Sequence, residues 1–311
     1  MTHGHSHPPR RTILRSATAL GLAGATSATT SAATSAPAAR AAAVTLPAIS
    51  VGTYDVLALL DATGTFFRPR EEAFPGATPA TWARARRLDP DAFGADGAWV
   101  LDFRCFVIRR PGGRLALVDA GVGPANSPAA EWCPVPGRLP QALAEAGLDP
   151  ADVDTVVLTH LHEDHYGWTR DESGAPVFPN ARHLVQQREL DTLPPDSDDR
   201  AYIEPLRTAG LLVPVDGDVR LWHWGGNVTL VPTPGHTPGH QSVIVSGRHE
   251  EVVLTGDTLV NAVQLADPAI PYMYEADKAA ARASRTELLA HARERRAWLA
   301  TPHLRRPFVR A

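Results

Sequence analysis

The sequence predicts one domain of mixed strands and helices, α/β or α+β in class, over residues 44–311. Three observations carry this. Short apolar runs recur along the chain, bounded by Gly, Pro, Asn and Asp, as strands are. Residues 276–300 form the longest helical stretch, with Leu288, Ala292 and Leu299 roughly on one face. Proline is abundant, 28 residues, and fixes loops instead of building a bundle of long helices.

The elements follow in order. Residues 51–60 read as a strand. Residues 61–98, rich in Pro, Gly, Asp and Arg, read as a long excursion with one short helix near 79–87. Such stretches inside a domain are more often functional flaps than linkers. Residues 99–108 and 114–120 read as a hairpin around the tight turn P-G-G at 111–113. Residues 137–148 predict a helix closed by Gly147 at its C′ position. Residues 153–159 are a short apolar run, the mark of a buried strand. Residues 181–186 follow as a strand, then helical pieces over 186–210. Three further strands are expected at 227–232, 241–246 and 251–255.

Charge and cysteine content exclude several functions. The chain has 30 basic and 34 acidic residues, a net charge of -4. Arg10, Arg11, Arg15 and Arg40 all lie in residues 1–43, which hold no acid, so the remainder is more acidic still. An acidic domain with the single lysine Lys278 has no basic track for a phosphate backbone, and nucleic acid is not an expected partner. Cys105 and Cys133 are too few for a disulfide scaffold or a four-cysteine zinc site, and leave open either one bridge or two buried thiols.

The first 43 residues have the three-part layout of an export signal: a basic segment, a modest apolar segment and small residues suited to cleavage. Arg10 and Arg11, followed by Ile13, Leu14 and Arg15, resemble a twin-arginine signal. Cleavage is expected between residues 36 and 43, removing His3, His5 and His7. The expected location is outside the cytoplasm, with no stable membrane insertion.

Function enters with the histidines. Residues 159–165 read T-H-L-H-E-D-H and end a predicted strand. His160 and His162 alternate and so point the same way from an extended segment. Asp164 and His165 follow at once. Four potential ligands in six residues leave too many polar groups competing for partners at a buried site unless a metal takes them. Downstream, T-P-G-H-T-P-G-H places His236 in a rigid loop, L-T-G-D-T-L places Asp257 past a strand, and T-P-H-L places His303 after the long helix.

With these residues the sequence resembles the metallo-β-lactamase-fold metallohydrolases over about 100–304, nearest the methyl parathion hydrolase-like and lactonase-like branch. The resemblance implies an α+β fold, an αββα sandwich of two mixed β-sheets flanked by helices, with the site at one edge between the sheets. It implies His160, His162 and His236 on one metal, and Asp164, His165 and His303 on a second, with Asp257 bridging. Asp119, in V-D-A-G, is implied as support for the ligands.

Two divalent ions are the implied cofactors. Zinc suits the N/O donors best, while manganese and iron tolerate them. The expected reaction is hydrolysis by a hydroxide shared between the metals, with Asp164 as the catalytic group that holds the hydroxide and returns a proton. The expected partner is a small neutral or weakly charged ester, lactone or phosphotriester. His240 is expected to be structural, and Glu163 to point away from the metals. Tyr166, Trp168, Trp222 and Trp224 are candidates for an apolar pocket. A mononuclear iron dioxygenase of the same fold uses fewer of these ligands. A β-lactam hydrolase is the third enzymatic reading, and an exported metal-binding protein without activity is the non-enzymatic one.

Overall fold

The computed structural model describes residues 46–110 and 112–311, so the expected signal over 1–43 lies outside the described residues. Among those described, no helix is long and apolar enough to cross a membrane.

The chain opens with a hairpin, β1 (Ala48–Val51) and β2 (Tyr54–Thr65), where the sequence predicts one strand. Gly52, at φ +59°, makes the turn between them. β2 therefore runs five residues into the expected excursion. Short helices α1 (Arg70–Ala73) and α2 (Pro79–Leu88) follow. Thr78 caps α2 by accepting from the Thr81 N–H at 3.1 Å, and Pro79 starts it. β3 (Val100–Arg109) and β4 (Leu115–Val118) form the expected hairpin. Next come α3 (Leu139–Glu145), β5 (Val153–Val157), the single turn α4 (Glu163–Tyr166), β6 (Arg182–Gln186), α5 (Gln187–Thr192), α6 (Asp198–Thr208) and β7 (Leu212–Val215). The second half holds β8 (Val219–Arg220), β9 (Val228–Pro232), β10 (Gln241–Ser246), β11 (Glu251–Leu254), α7 (Ala262–Ala266), α8 (Lys278–Arg295), β12 (Trp298–Ala300) and β13 (Phe308–Arg310).

The strands form two mixed sheets. The first runs β1 to β7 in sequence order, antiparallel through β4 and parallel from β4 to β7. The second runs β13-β12-β11-β10-β9-β8, with one parallel pair, β11 with β12. Alternation of side chains sorts the core. Phe106, Ile108 and Val118 meet Val243, Val245 and Val252 between the sheets. Cys105, Val107 and Leu117 face outward onto Leu139, Leu143 and Ile203 of the helices. On the other side, Val253 and Leu299 pack on Leu288, Leu289 and Ala292 of α8. The result is the implied αββα sandwich.

Three expectations need correction. The long helix stops at Arg295, because Arg296 turns left-handed at φ +51°, and Leu299 then lies in strand β12. The pairing of β12 with β11 overrides a helical pattern that no glycine interrupts. The strands β7, β8, β12 and β13 went unpredicted because they have only two to four residues each. Residues 61–98, expected as an excursion with one short helix, are more ordered than that, with the end of β2 and two short helices. Phe66, Phe74, Trp82 and Trp99 pack with Val260, Val263 and Ile270 into a separate apolar cluster at one end of the sandwich. Cys105 and Cys133 are both buried free thiols, which removes the bridge as an option.

His183 in β6 is fully buried; its Nδ1–H donates to the Ala181 carbonyl at 3.2 Å. Burial pushes its pKa down to about 4. The unfolded chain protonates near 6.5, so the stability present above that pH is lost as pH falls from 6.5 towards 4. The loss reaches about 3 kcal/mol at the acid end. Urea midpoints at pH 7 and pH 5 are expected to converge in His183→Gln relative to wild type; an unchanged acid dependence would remove this account.

Candidate metal centre

The strand ends of both sheets converge on one edge of the sandwich. After β5 the chain stays extended through His160, Leu161 and His162, then turns into α4, which carries Asp164 and His165. His236 sits in the loop joining β9 to β10, Asp257 in the tight turn after β11, and His303 between β12 and β13. All seven predicted ligands are therefore brought together.

They form two donor sets. His160 Nε2 and His236 Nε2 lie 3.1 and 2.9 Å from His162 Nδ1. His165 Nε2 lies 3.2 Å from His303 Nε2 and 3.5 Å from Asp164 Oδ2. Asp257 connects them. Its Oδ2 is 3.3 Å from His236 Nε2, and its Oδ1 is 3.3 Å from His165 Nε2 and 3.1 Å from His303 Nε2. Ligands about 2.0–2.1 Å from a tetrahedral ion are separated from one another by about 3.3 Å, close to these spacings.

The hydrogen bonds fix which nitrogen faces the centre. Asp119 accepts from the Thr159 N–H and Oγ1–H, and from His165 Nδ1–H at 2.9 Å, leaving His165 Nε2 free. His160 Nδ1–H donates to Thr159 Oγ1 at 3.0 Å, and His303 Nδ1–H to the Asp102 carbonyl at 2.9 Å. Asp119 holds this post at φ +60°, a left-handed conformation that a non-glycine residue adopts only when its surroundings enforce it. The free nitrogens thus aim lone pairs at one another across a buried space. Asp257 Oδ1 is buried there without a hydrogen-bond donor. Such a set is costly unless a positive charge sits between its members, so the donors fit divalent ions.

The electrostatics agree. Burial and neighbouring imidazoles hold His160 well below the usual histidine range, and burial does the same to His236. Burial opposes charge on His165, but Asp164, Asp257 and Asp119 outweigh it and hold that histidine well above its usual value. Burial also opposes ionisation of Asp257, but His303, His165 and His236 outweigh it and keep the carboxyl well below the carboxylate range. The centre demands positive charge, which a cation supplies better than protons do. Asp164 differs, since burial raises its pKa and equips it to carry a proton.

Several residues essential to this geometry escaped the sequence reading. Glu189 of α5 accepts from the Leu161 N–H and the Gly239 N–H, both at 2.9 Å, and so locks the His160–His162 segment to the His236 loop. Asp61 bulges out of β2 and accepts from the Val122 N–H, the Leu139 N–H and Trp168 Nε1–H. Gly121 and Gly137 leave the space its carboxylate needs. Arg104 and Asp102 of β3 clamp the His303 segment. Arg104 donates to the carbonyls of Leu304 and Arg305 and to the Asp102 carboxylate, which also receives Arg305. No local pattern marks these four, because each acts on residues far along the chain. His240 matches expectation: its Nε2 accepts from the Asp257 N–H at 2.9 Å, and burial lowers its pKa to about 3.

A cavity of about 300 Å³ opens beside the centre. Its walls are aromatic, from Phe66, Phe67, Trp99, Trp132, Tyr272 and Tyr274, with Leu101 and Val260. Among the described residues no lysine or arginine lines it. The four aromatics expected there do not contribute. Tyr166 and Trp224 are fully buried in the core, Trp168 packs against the outer cluster, and Trp222 is solvent-exposed. Glu163, expected to point away, lines the wall with Oε1 accepting from Trp132 Nε1–H at 2.6 Å.

Arg104→Met is expected to loosen the His303 segment without disturbing the other donor set. Calorimetric titration of the metal-free protein with zinc then shows one equivalent bound as in wild type and a second bound at least about tenfold more weakly. Two unchanged binding steps would show that Arg104 plays no part in placing His303.

Comparison with known proteins gives the same picture. Residues 104–299, more than half of the chain, match the metallo-beta-lactamase superfamily. The N-acyl homoserine lactonase AttM of Azorhizobium caulinodans is 37% identical over 161 residues, which cover 45% of this chain and 58% of that relative. The AttM of Rhizobium radiobacter is 33% identical over 187 residues, covering 53% and 68%. Among solved structures, the hydrolase AbOPH of the beta lactamase superfamily superposes with a TM-score of 0.69 at 25% identity, over 85% of this chain and 92% of that one. The dizinc quorum-quenching lactonase AidC superposes at 0.67 and 22%, over 86% and 94%. On the match over residues 104–299 the chain belongs to the metallo-beta-lactamase superfamily.

Proposed function

We propose that this protein is a dinuclear metal-dependent hydrolase of lactones and carboxylic esters. His160, His162 and His236 would hold one ion, and Asp164, His165 and His303 the other, with Asp257 shared between them. The observation that carries the proposal is the Asp257 carboxylate, whose two oxygens face two different histidine sets at 3.1 to 3.3 Å. A single-ion site would need only one of those sets. Zinc is the favoured ion, because three or four imidazole and carboxylate donors at tetrahedral spacing suit it.

Bound divalent ions lower the pKa of water and polarise a carbonyl oxygen. The chain's own residues do the rest. Asp164 holds the proton released in the attack and returns it to the departing alkoxide. Asp119, Thr159 and Asp102 keep the ligand nitrogens in one tautomer. The aromatic walls exclude water and receive the apolar part of the substrate. A lactone or ester needs no cationic partner beyond the ions, which agrees with a pocket that offers none. The relatives named as N-acyl homoserine lactonases support a lactone with an acylated amine as one substrate. The N-terminal resemblance to a twin-arginine signal supports export, and intact-mass measurement of secreted protein tests it, a mature chain beginning near Met1 refuting it.

A screen of N-acyl lactones, aryl esters, phosphotriesters and a β-lactam against protein loaded with zinc, manganese or iron tests the assignment. The expected result is turnover of lactones and aryl esters that a chelator abolishes, together with a fall in melting temperature as the tertiary restraint is lost. Full activity in metal-free protein would refute it. Asp257→Ala is expected to lower metal content towards zero and His303→Ala towards one ion per chain, read by elemental analysis. Two ions retained in Asp257→Ala would show that Asp257 does not bridge.

A further inference from the structure

We propose that Glu163 sets the charge preference of the pocket, and that preferred substrates carry a positively charged group on the arm away from the reacting bond. The inference rests on the hydrolase reading above and names the substrate class it favours.

Besides Asp164 and Asp257, which belong to the metal centre, Glu163 supplies the only carboxylate on the cavity wall, and no lysine or arginine of the described residues joins it there. Its position is fixed. Trp132 Nε1–H holds Oε1 at 2.6 Å, and Oε2 has no hydrogen-bond partner among the described residues. Next to it the indole of Trp132 meets Phe67, with ring centroids 5.8 Å apart, and Phe67 meets Tyr274 at 6.3 Å. Phe67 is 51% exposed and Tyr274 43% exposed, so both leave open ring faces at the mouth. Large aromatics left open beside an unpaired carboxylate are a receptor for a cation, which gains from the ring faces and from the charge.

The arrangement also orients the substrate. With divalent ions held by the ligands, the floor of the cavity would carry positive charge, while the wall offers negative charge and π faces. A molecule with an electron-rich carbonyl at one end and an ammonium group at the other would lie along that gradient in a single direction, with the carbonyl towards the ions. A substrate with an anionic arm would meet Glu163 head-on. The competing role for Glu163 is purely to hold the Trp132 indole. Glu163→Gln separates the two, because glutamine keeps an oxygen acceptor for Nε1–H and removes only the charge.

The test uses full-length, zinc-loaded wild type and Glu163→Gln with two hexanoyl esters of equal shape. One is the choline ester. The other is its carbon isostere, with a tert-butyl group in place of trimethylammonium. In wild type, kcat/KM for the choline ester is expected to exceed that of the isostere by about fivefold, mostly through KM, the size of one partly exposed cation–π and ionic contact. In Glu163→Gln the ratio falls to within about twofold of unity, with two zinc ions retained. A ratio that is the same in both proteins, or a wild type that prefers the isostere, overturns the proposal. Binding of choline and of the matching tert-butyl alcohol, followed by tryptophan fluorescence, gives the same comparison without turnover. If neither ester is cleaved but choline binding weakens in Glu163→Gln, the charge role stands and the hydrolase reading fails. If both esters are cleaved without discrimination, the hydrolase reading stands and the charge role fails.

Discussion

Mutual repulsion among lone pairs is the constraint on which this structure turns. Five imidazoles and two carboxylates are packed at one edge of the sandwich, with nitrogens about 3 Å apart. Folding alone does not favour such a cluster. It persists because four of the seven ligands are tied from behind. Asp119 restrains His165 and, through Thr159, His160; the Asp102 carbonyl restrains His303; and the His240 ring restrains the Asp257 backbone.

The bracing is shared between the two sheets. Ligands come from the ends of strands in both, and the ties cross between layers. Glu189, on the outer side of the first sheet, reaches the loop between β9 and β10 of the second. Arg104 in the first sheet reaches the carbonyls that follow β12 of the second. The apolar core sets how far apart the sheets lie, and these polar contacts set how the edges align. Core burial supplies stability in bulk; the hydrogen bonds supply position.

This division explains what was legible in the sequence. The ligands were legible because metal chemistry dictates residue type and spacing within a few positions, as in T-H-L-H-E-D-H. The apolar runs announced only a mixed α/β or α+β domain, and the sandwich followed from the family resemblance that the motif carries. The braces were not. Glu189 and Arg104 look like ordinary charged residues, and their partners are 28 to 201 positions away. The pocket aromatics failed for a related reason. Tyr166 and Trp168 sit beside the motif in sequence, yet their rings face the outer helices, while Phe66, Trp132 and Tyr272 arrive from three separate excursions. Nearness along the chain predicted ligands well and walls badly, since a strand or a single helical turn sends successive side chains in different directions. The error at Leu299 has a third origin, a strand pairing that no local propensity announces.

The clamp of Arg104 on residues 304 and 305 has a consequence for how the protein comes apart. It closes a loop of about 200 residues, roughly two thirds of the chain. Opening it frees the end of β12 and the His303 segment at once, so peeling of the last strands and escape of an ion from that side become one event with one barrier. A protein built this way resists slow inactivation through the rate of that opening, independently of how stable its core is at equilibrium. Exchange of an ion held on that side would then run at the pace of a backbone motion, and long occupancy would persist even where the intrinsic affinity of its donors is modest.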